Sequence, residues 1–309
     1  MSLKFSVVTP SYNQGSFIER TIQSVLSQKG VDLEYVICDG GSSDSTLDVL
    51  RRYSDYLNWV SEADGGQADA VNKGIQATSG DIIAWINSDD IYYAEAFAKV
   101  KHIFETHPKV QVIYGNANHI DKSDHIIESY PTEHWNYTRL KDVCFISQPA
   151  TFFRRNLVHQ YGGLNASLNF CMDYELWLRY GRHTDFFYLA EVLAGSRLYQ
   201  DTKTLGQRVA VHYEINEMLK EKFSLVPEKW VLSYISILVE ERGKATGRNM
   251  ALATSQVQRV HEFSYEALKS YWQWRKLRIS PSSVWMMFRW TVIAYYRLIR
   301  NRFSKTLKL

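Results

Sequence analysis

The strongest constraint on the fold is an alternation running from Lys4 to about Ile120, in which short β-rich runs are followed by segments of helical periodicity. Such alternation builds a mostly parallel sheet flanked by helices, so the fold class is α/β. Residues 5–9 read as the first strand, 34–38 as the second, 57–60 as the third and 82–86 as the fourth. Helices are expected over 46–53 and 67–77, and another carries Ile18, Ile22, Val25 and Leu26 on one face. Ser16 and Glu19 have the spacing of a capping box at the start of that helix. Polar clusters fall where strands end, at residues 10–15, 39–44 and 87–90. In open α/β sheets, ligands sit beyond those carboxyl ends.

The following stretch is less regular. Residues 111–114 and 117–120 read as strands with a hairpin over 121–124, residues 170–182 as a helix and 186–189 as a strand. Beyond Thr204 the pattern is helical and divided by Pro227 and Pro281. With 45% hydrophobic and 14% aromatic residues, 309 residues can bury one large core and a smaller appendage, which excludes a disordered tail. Cys38, Cys144 and Cys171 have no paired or zinc-type spacing, so buried thiols in a reducing compartment are expected. The first ten residues lack the layout of a signal peptide.

Charge is distributed unevenly. All 33 acidic residues precede residue 267, where only 26 of the 36 basic ones lie; the remaining ten stand on the last 43 residues. That tail suits an anionic partner. Its apolar run at residues 284–296 is too short to span a bilayer and is broken by Arg289. A helix lying at an anionic membrane surface, with Trp285, Phe288 and Trp290 at the interface, is one reading; a helix packed on the rest of the protein with a solvated cationic face is the other.

Four clusters carry chemistry. Asp39, followed by two glycines, can accept a hydrogen bond from a base or ribose, or cap its own turn. Adjacent carboxylates at Asp89 and Asp90 call for a cation or hydrogen-bond donors, or mark a solvated turn or helix cap. Lys73 lies on a helix opened by a glycine-rich turn and can neutralise phosphate or face solvent. Asp173, near the start of the helix anchored by Leu176, Trp177 and Leu178, can act as a general base or sit in a dipole-favoured first turn.

Taken together, the runs Val7-Val-Thr-Pro-Ser-Tyr-Asn13, Asp39-Gly-Gly-Ser-Ser-Asp44, Asp64-Gly-Gly-Gln-Ala-Asp-Ala-Val-Asn-Lys-Gly74, Trp85-Ile-Asn-Ser-Asp-Asp90, Gln148-Pro-Ala-Thr-Phe-Phe-Arg154 and Met172-Asp-Tyr-Glu-Leu-Trp-Leu-Arg179 resemble the family 2 inverting glycosyltransferases. The resemblance covers roughly residues 3–205. It implies a GT-A fold, Rossmann-like, over residues 1–205, with a nucleotide-binding part at 1–120 and an acceptor-binding part at 121–205. Residues 206–309 then form a helical extension with the basic amphipathic tail.

The same resemblance implies a nucleoside-diphosphate-sugar site built from Thr9, Pro10, Ser11, Tyr12, Asp39, Gly66, Lys73, Asn87 and Ser88. Asp173 becomes the catalytic base. The family's metal motif falls on residues 87–89, with Asn87 in place of its first carboxylate, which leaves Asp89, with Asp90 adjacent, to hold Mg²⁺ or Mn²⁺. Tyr199 stands where many relatives have a histidine, and a phenol is a weak ligand at neutral pH, which lowers the expected metal affinity.

The expected activity is transfer of one sugar, with inversion, from a nucleotide sugar of UDP type to a hydroxyl of a glycan or lipid-linked acceptor. Surface-polysaccharide assembly at the cytoplasmic face of the inner membrane is the expected setting. A catalytically silent nucleotide-sugar or glycan-binding relative is the alternative. A dinucleotide enzyme lacks support, because residues 10–15 are not a G-x-G-x-x-G turn. Nucleic acid is not an expected partner, since the strand-end carboxylates would repel it.

Overall fold

The computed structural model describes residues 3–199, 202–247 and 253–306; Gln200, Asp201 and the tail's Lys308 lie outside them. The chain divides into two compact units, Met1–Leu205 and Gly206–Leu309.

In the first unit β1 (Lys4–Ser11), β2 (Asp32–Asp39), β3 (Asn58–Ser61) and β4 (Ile82–Trp85) pair in parallel in the order β3-β2-β1-β4. Helices α1 (Ile18–Leu26), α2 (Thr46–Arg52) and α3 (Gln67–Gln76) make the connections. Strand β1 is buried on both faces from Phe5 onward, as the centre of a sheet covered on two sides must be. Helix α1 buries Ile18, Ile22 and Val25, and α3 lies so close to β1 that a Cβ on Gly74 would stand 2.4 Å from a Val8 methyl. Only glycine permits that approach.

The chain continues through β5 (Ile91–Tyr92) and α4 (Ala96–Thr106) into β6 (Val112–Ile120) and β7 (Ile126–Ser129). Next come α5 (Tyr137–Asp142), a 3-10 turn at Gln148–Ala150, β8 (Thr151–Arg154), α6 (Asn156–Tyr161), α7 (Met172–Tyr180), β9 (Phe187–Arg197) and α8 (Lys203–Gly206). The sheet extends past β4 as β8-β6-β9-β5, with β7 also on β6. Strand β8 is antiparallel to β4 and β6, so the parallel half gives way to a mixed one. Phe5, Tyr92, Phe97 and Phe152 form the aromatic centre that joins the halves, with ring centroids 4.8–6.4 Å apart.

At the amino ends of the strands, Glu34 accepts from Lys4 Nζ at 2.9 Å, Ser6 Oγ at 2.8 Å and the backbone of Ser79 and Gly80 at 2.5 and 2.6 Å. Burial alone raises its pKa, but these donors together bring it down to about 2.

Three local expectations are corrected. The capping box does not form: Phe17 is the N-cap without a side-chain bond, and Glu19 turns to Arg52 and Tyr53. Asp89 and Asp90 do not cap a helix, because residues 91–92 pair with β9 and α4 starts only at Ala96. The runs at 111–114 and 117–120 are one strand, and the strand expected at 186–189 extends to Arg197. Polar residues at 116, 118 and 119 interrupt the apolar pattern, but the backbone ladder between β6 and β9 continues, slipping register between Gly115↔Leu189 and Asn116↔Val192.

In the second unit α9 (Arg208–Phe223), α10 (Glu228–Ala245), α11 (Ala253–Arg275) and α12 (Pro281–Thr306) pack together. Val231, Ile235 and Val239 of α10 and Phe263, Ala267, Tyr271 and Trp274 of α11 are buried at helical spacing. On α12, Ser283 and Ala294 are buried, whereas Trp285, Phe288, Val292, Tyr296 and Ile299 are exposed along the other face. No helix among the described residues is long and apolar enough to cross a membrane.

Candidate active site

The carboxyl ends of β1, β2 and β4 open onto a cleft of about 640 Å³. Pro10, Ser11, Tyr12 and Gln14 line it from the end of β1, Gly66 and Gln67 from the start of α3, residues 87–90 from the end of β4, Met172 and Asp173 from α7, and residues 196–199 from the end of β9. Nine sequence-predicted residues therefore meet in one place: Pro10, Ser11, Tyr12, Gly66, Asn87, Ser88, Asp89, Asp90 and Asp173. Tyr12 is 62% exposed. Gly66 has φ 105°, a conformation that L side chains rarely reach, and it turns the chain into α3.

Three other predicted residues are not among the lining. Thr9 is buried, and its hydroxyl lies 3.0 Å from that of Tyr35. The Asp39 carboxylate accepts from the backbone of Gly41 and Ser42 and from the hydroxyls of Ser42 and Ser61, so it closes its own turn while Gly40 reaches the cleft. Lys73 pairs with Glu62 at 3.0 Å and Asp69 at 3.3 Å.

The loop after β4 is held from several sides. Asn87 Oδ1 accepts from Gln67 Nε2 at 2.7 Å and Trp85 Nε1 at 3.1 Å. The Asp90 carboxylate accepts from the Arg197 backbone at 2.7 Å and from Asn87 Nδ2 at 3.4 Å. Burial raises the Asp90 pKa well above the ordinary carboxylate value, and the neighbouring Asp89 adds to this. Arg197, also buried, donates to the Asp89 carbonyl at 2.6 Å, to the Asp121 carbonyl and to Asp124. One guanidinium thus ties the loop to the β6–β7 turn.

Asp89 remains the carboxylate turned to the cleft. Its Oδ2 accepts from the Tyr199 hydroxyl at 3.0 Å, and burial raises its pKa. Among the described residues, no group of three or more His, Cys, Asp or Glu is arranged to hold a metal ion. Since Mg²⁺ is commonly held by one or two carboxylates together with substrate phosphates, this donor set fits a divalent cation only in company with a diphosphate.

Asp173 stands in the first turn of α7, where Oδ1 accepts from the Tyr174 backbone at 2.7 Å. Burial pushes its pKa up to about 6, the range in which a carboxylate serves as a base near neutrality. Arg179, in the last turn of α7, bonds the carbonyls of Tyr161, Gly162 and Gly163, and Asn72 of α3 exchanges two 2.8 Å bonds with Leu164, so the chain between α6 and α7 is tied to both helices. The roles of Arg197 and Gln148 in the cleft wall were not assigned from sequence, although Gln148 opens one of the runs singled out there. The available signal was position, an arginine closing β9 and a glutamine opening the 3-10 turn before β8.

A sequence profile for the family described as glycosyl transferase family 2 matches residues 6–162. An uncharacterized glycosyltransferase of Rickettsia prowazekii (strain Madrid E) is 24% identical over 268 residues, which cover 80% of this chain and 83% of that protein. The structure of S. aureus TarS 1–349 in complex with UDP-GlcNAc superposes with a TM-score of 0.56 at 15% identity, covering 87% of this chain and 89% of that one. The mannosyltransferase PcManGT from Pyrobaculum calidifontis, in complex with GDP-Man and Mn²⁺, gives 0.52 at 16% identity, covering 96% and 85%. At such identities the likeness carries the fold, which is of GT-A type.

Proposed function

This chain belongs to glycosyl transferase family 2 and is a hexosyltransferase of GT-A fold, and on that premise we propose that it moves one sugar, with inversion, from a nucleoside-diphosphate sugar of UDP type to a hydroxyl of a glycan or lipid-linked acceptor. The observation that carries the proposal is the placement of Asp173, with its raised pKa, in the same cleft as the strand-end loop carrying Asp89.

In this reading Tyr12 offers its ring to the base, and Pro10, Ser11, Gly66, Asn87 and Ser88 shape the nucleotide-sugar site. Thr9, Asp39 and Lys73 act from behind the lining. Asp173 takes the proton of the acceptor hydroxyl as that oxygen bonds to the anomeric carbon. The bond from that carbon to the phosphate oxygen breaks on the opposite face, and the nucleoside diphosphate departs. Asp89, with Asp90 behind it, would hold Mg²⁺ or Mn²⁺, which neutralises diphosphate charge when bound.

The exposed apolar face of α12, flanked by Arg289, Arg297 and Arg300 in a segment free of acidic residues, supports docking on an anionic membrane, and with it a lipid-linked acceptor of surface-polysaccharide assembly at the cytoplasmic face of the inner membrane.

Asp173→Asn tests the assignment. Transfer from the accepted nucleotide sugar should fall at least a thousandfold while nucleotide affinity stays within about twofold. Near-wild-type turnover in that variant would sink the assignment, and a wild-type protein that binds nucleotide sugar without transfer or hydrolysis would favour the silent relative.

A further inference from the structure

Asp89 is partly exposed between Ser88 and Asp90, which are both buried, so the direction in which its carboxylate faces the cleft is set by the backbone that carries it. The carbonyls along that backbone are held by side chains from other elements. Gln148 Nε2 donates to the carbonyl of Trp85, just before the loop, at 2.5 Å. Thr21 of α1 shares its hydroxyl proton between the carbonyls of Ser88 and Asp90, at 3.0 and 2.7 Å. The Asp89 carbonyl, which lies between those two, accepts from Arg197 Nε at 2.6 Å.

The Arg197 side chain is fully enclosed, and its Cζ lies 5.0 Å from the centre of the Phe17 ring. A ligand in the cleft therefore has no access to the guanidinium. Its other two nitrogens donate to the Asp121 carbonyl and the Asp124 carboxylate, in the β6–β7 turn. Asp124 is not among the cleft lining, and Arg20 of α1 bonds its second oxygen at 3.0 Å. A guanidinium presents its donors in one rigid plane, so anchoring two nitrogens on the turn fixes where the third points. Lysine carries the same charge at a single point and cannot bridge the turn and the loop at once.

We infer that Arg197 is a positioning residue that acts through the Asp89 carbonyl to aim the Asp89 carboxylate at the cation on the diphosphate, and that Asp124 acts through Arg197 from outside the cleft. The inference rests on the transferase reading and adds to it a layer of residues that never meets the donor. Removing the hydrogen-bonded partners behind a metal ligand commonly lowers metal affinity about 10–100-fold.

The experiment compares wild type with Arg197→Lys and Asp124→Asn, titrating UDP and GDP calorimetrically in EDTA and at stepped Mn²⁺ concentrations, with melting curves alongside. Asp124 has φ 70°, a conformation that asparagine tolerates as aspartate does, so the second variant removes charge without straining the turn. Both variants should bind nucleotide in EDTA as wild type does. To reach the wild-type affinity, Arg197→Lys should need about tenfold more Mn²⁺ and Asp124→Asn about threefold more. Mn²⁺ dependence equal to that of wild type in both variants overturns the inference. So does a loss of affinity that is the same in EDTA and in Mn²⁺, which a merely structural role predicts. If Arg197→Lys does not fold, Asp124→Asn decides; if neither folds, both residues belong to the structure alone and the inference is overturned. A wild type that binds nucleotide equally with and without Mn²⁺ also overturns it while leaving the transferase reading in place. A wild type that binds neither nucleotide removes that reading, and the inference with it.

Discussion

The Tyr199 hydroxyl donates to Asp89 Oδ2 across 3.0 Å, so a phenol occupies one oxygen of the carboxylate that the cleft would offer to a cation. Tyr199 is backed by Phe17 with ring centroids 5.1 Å apart, and Lys122 Nζ lies 5.2 Å from its ring centre. Replacing it by histidine exchanges a weak ligand for a strong one. Tyr199→His should raise the affinity for Mn²⁺ in the presence of UDP at least severalfold, read by calorimetry or by the resonance of free Mn²⁺. Equal affinities would argue against Asp89 as the metal ligand.

Asp173 should reveal itself through stability as well as turnover. Its pKa is raised from 3.8 to about 6 by burial, so the folded protein holds the proton more tightly than the unfolded chain does. Stability contributed by the protonated form is complete below about pH 4, declines as pH rises toward 6, and stays lost above it. Asp173→Asn removes that decline. The variant should be inactive yet more stable at pH 7.5 by up to about 2 kcal/mol, with the gain absent near pH 4. Parallel melting curves at the two pH values are the measurement.

Glu34 has the opposite sign. Its folded pKa lies near 2 against 4.5, so its donors stabilise the protein fully above about pH 4.5 and progressively less down to pH 2. Glu34→Gln should cost roughly 2 kcal/mol at pH 7 and little at pH 2, measured by urea unfolding at each pH.

For α12, the exposed side chains are large: Trp285 is 63% and Phe288 57% exposed. Burying such a side chain contributes about 1.5–3 kcal/mol. Trp285→Ser combined with Phe288→Ser should reduce co-sedimentation with phosphatidylglycerol vesicles at least tenfold, and wild type should bind phosphatidylcholine vesicles poorly. Equal binding of variant and wild type would remove this face as the membrane contact.

The parallel half of the sheet was legible because it follows local rules: apolar runs of strand length, glycines after Asp39 and Asp64, and carboxylates after Ile86. Those polar residues had no place inside the sheet, so their positions at strand ends followed. What escaped the sequence depends on distant partners. Gln148 acquires meaning only when β8 lies beside β4, and Arg197 only when β9 ends beside the loop at 87–90. Asp39 and Lys73 show the reverse case. Their types suit a ligand, but neighbouring Ser42, Ser61, Glu62 and Asp69 engage them first. The interrupted apolar pattern across β6 and β9 hid two long strands, because a ladder needs backbone groups rather than apolar side chains.

The bond from Arg197 to the Asp89 carbonyl spans 108 positions of the chain. Contacts of such separation form late, since the loop they close must be ordered before they return any energy. A polypeptide emerging from the ribosome can complete β1 to β4 while Arg197 is still unsynthesised. Until β9 docks, Asp90 lacks its backbone donor and the loop at 87–90 has no clamp. Acquisition of the cleft therefore lags acquisition of the sheet, and a nascent chain halted before Arg197 should be protected in its core strands yet unable to retain nucleotide.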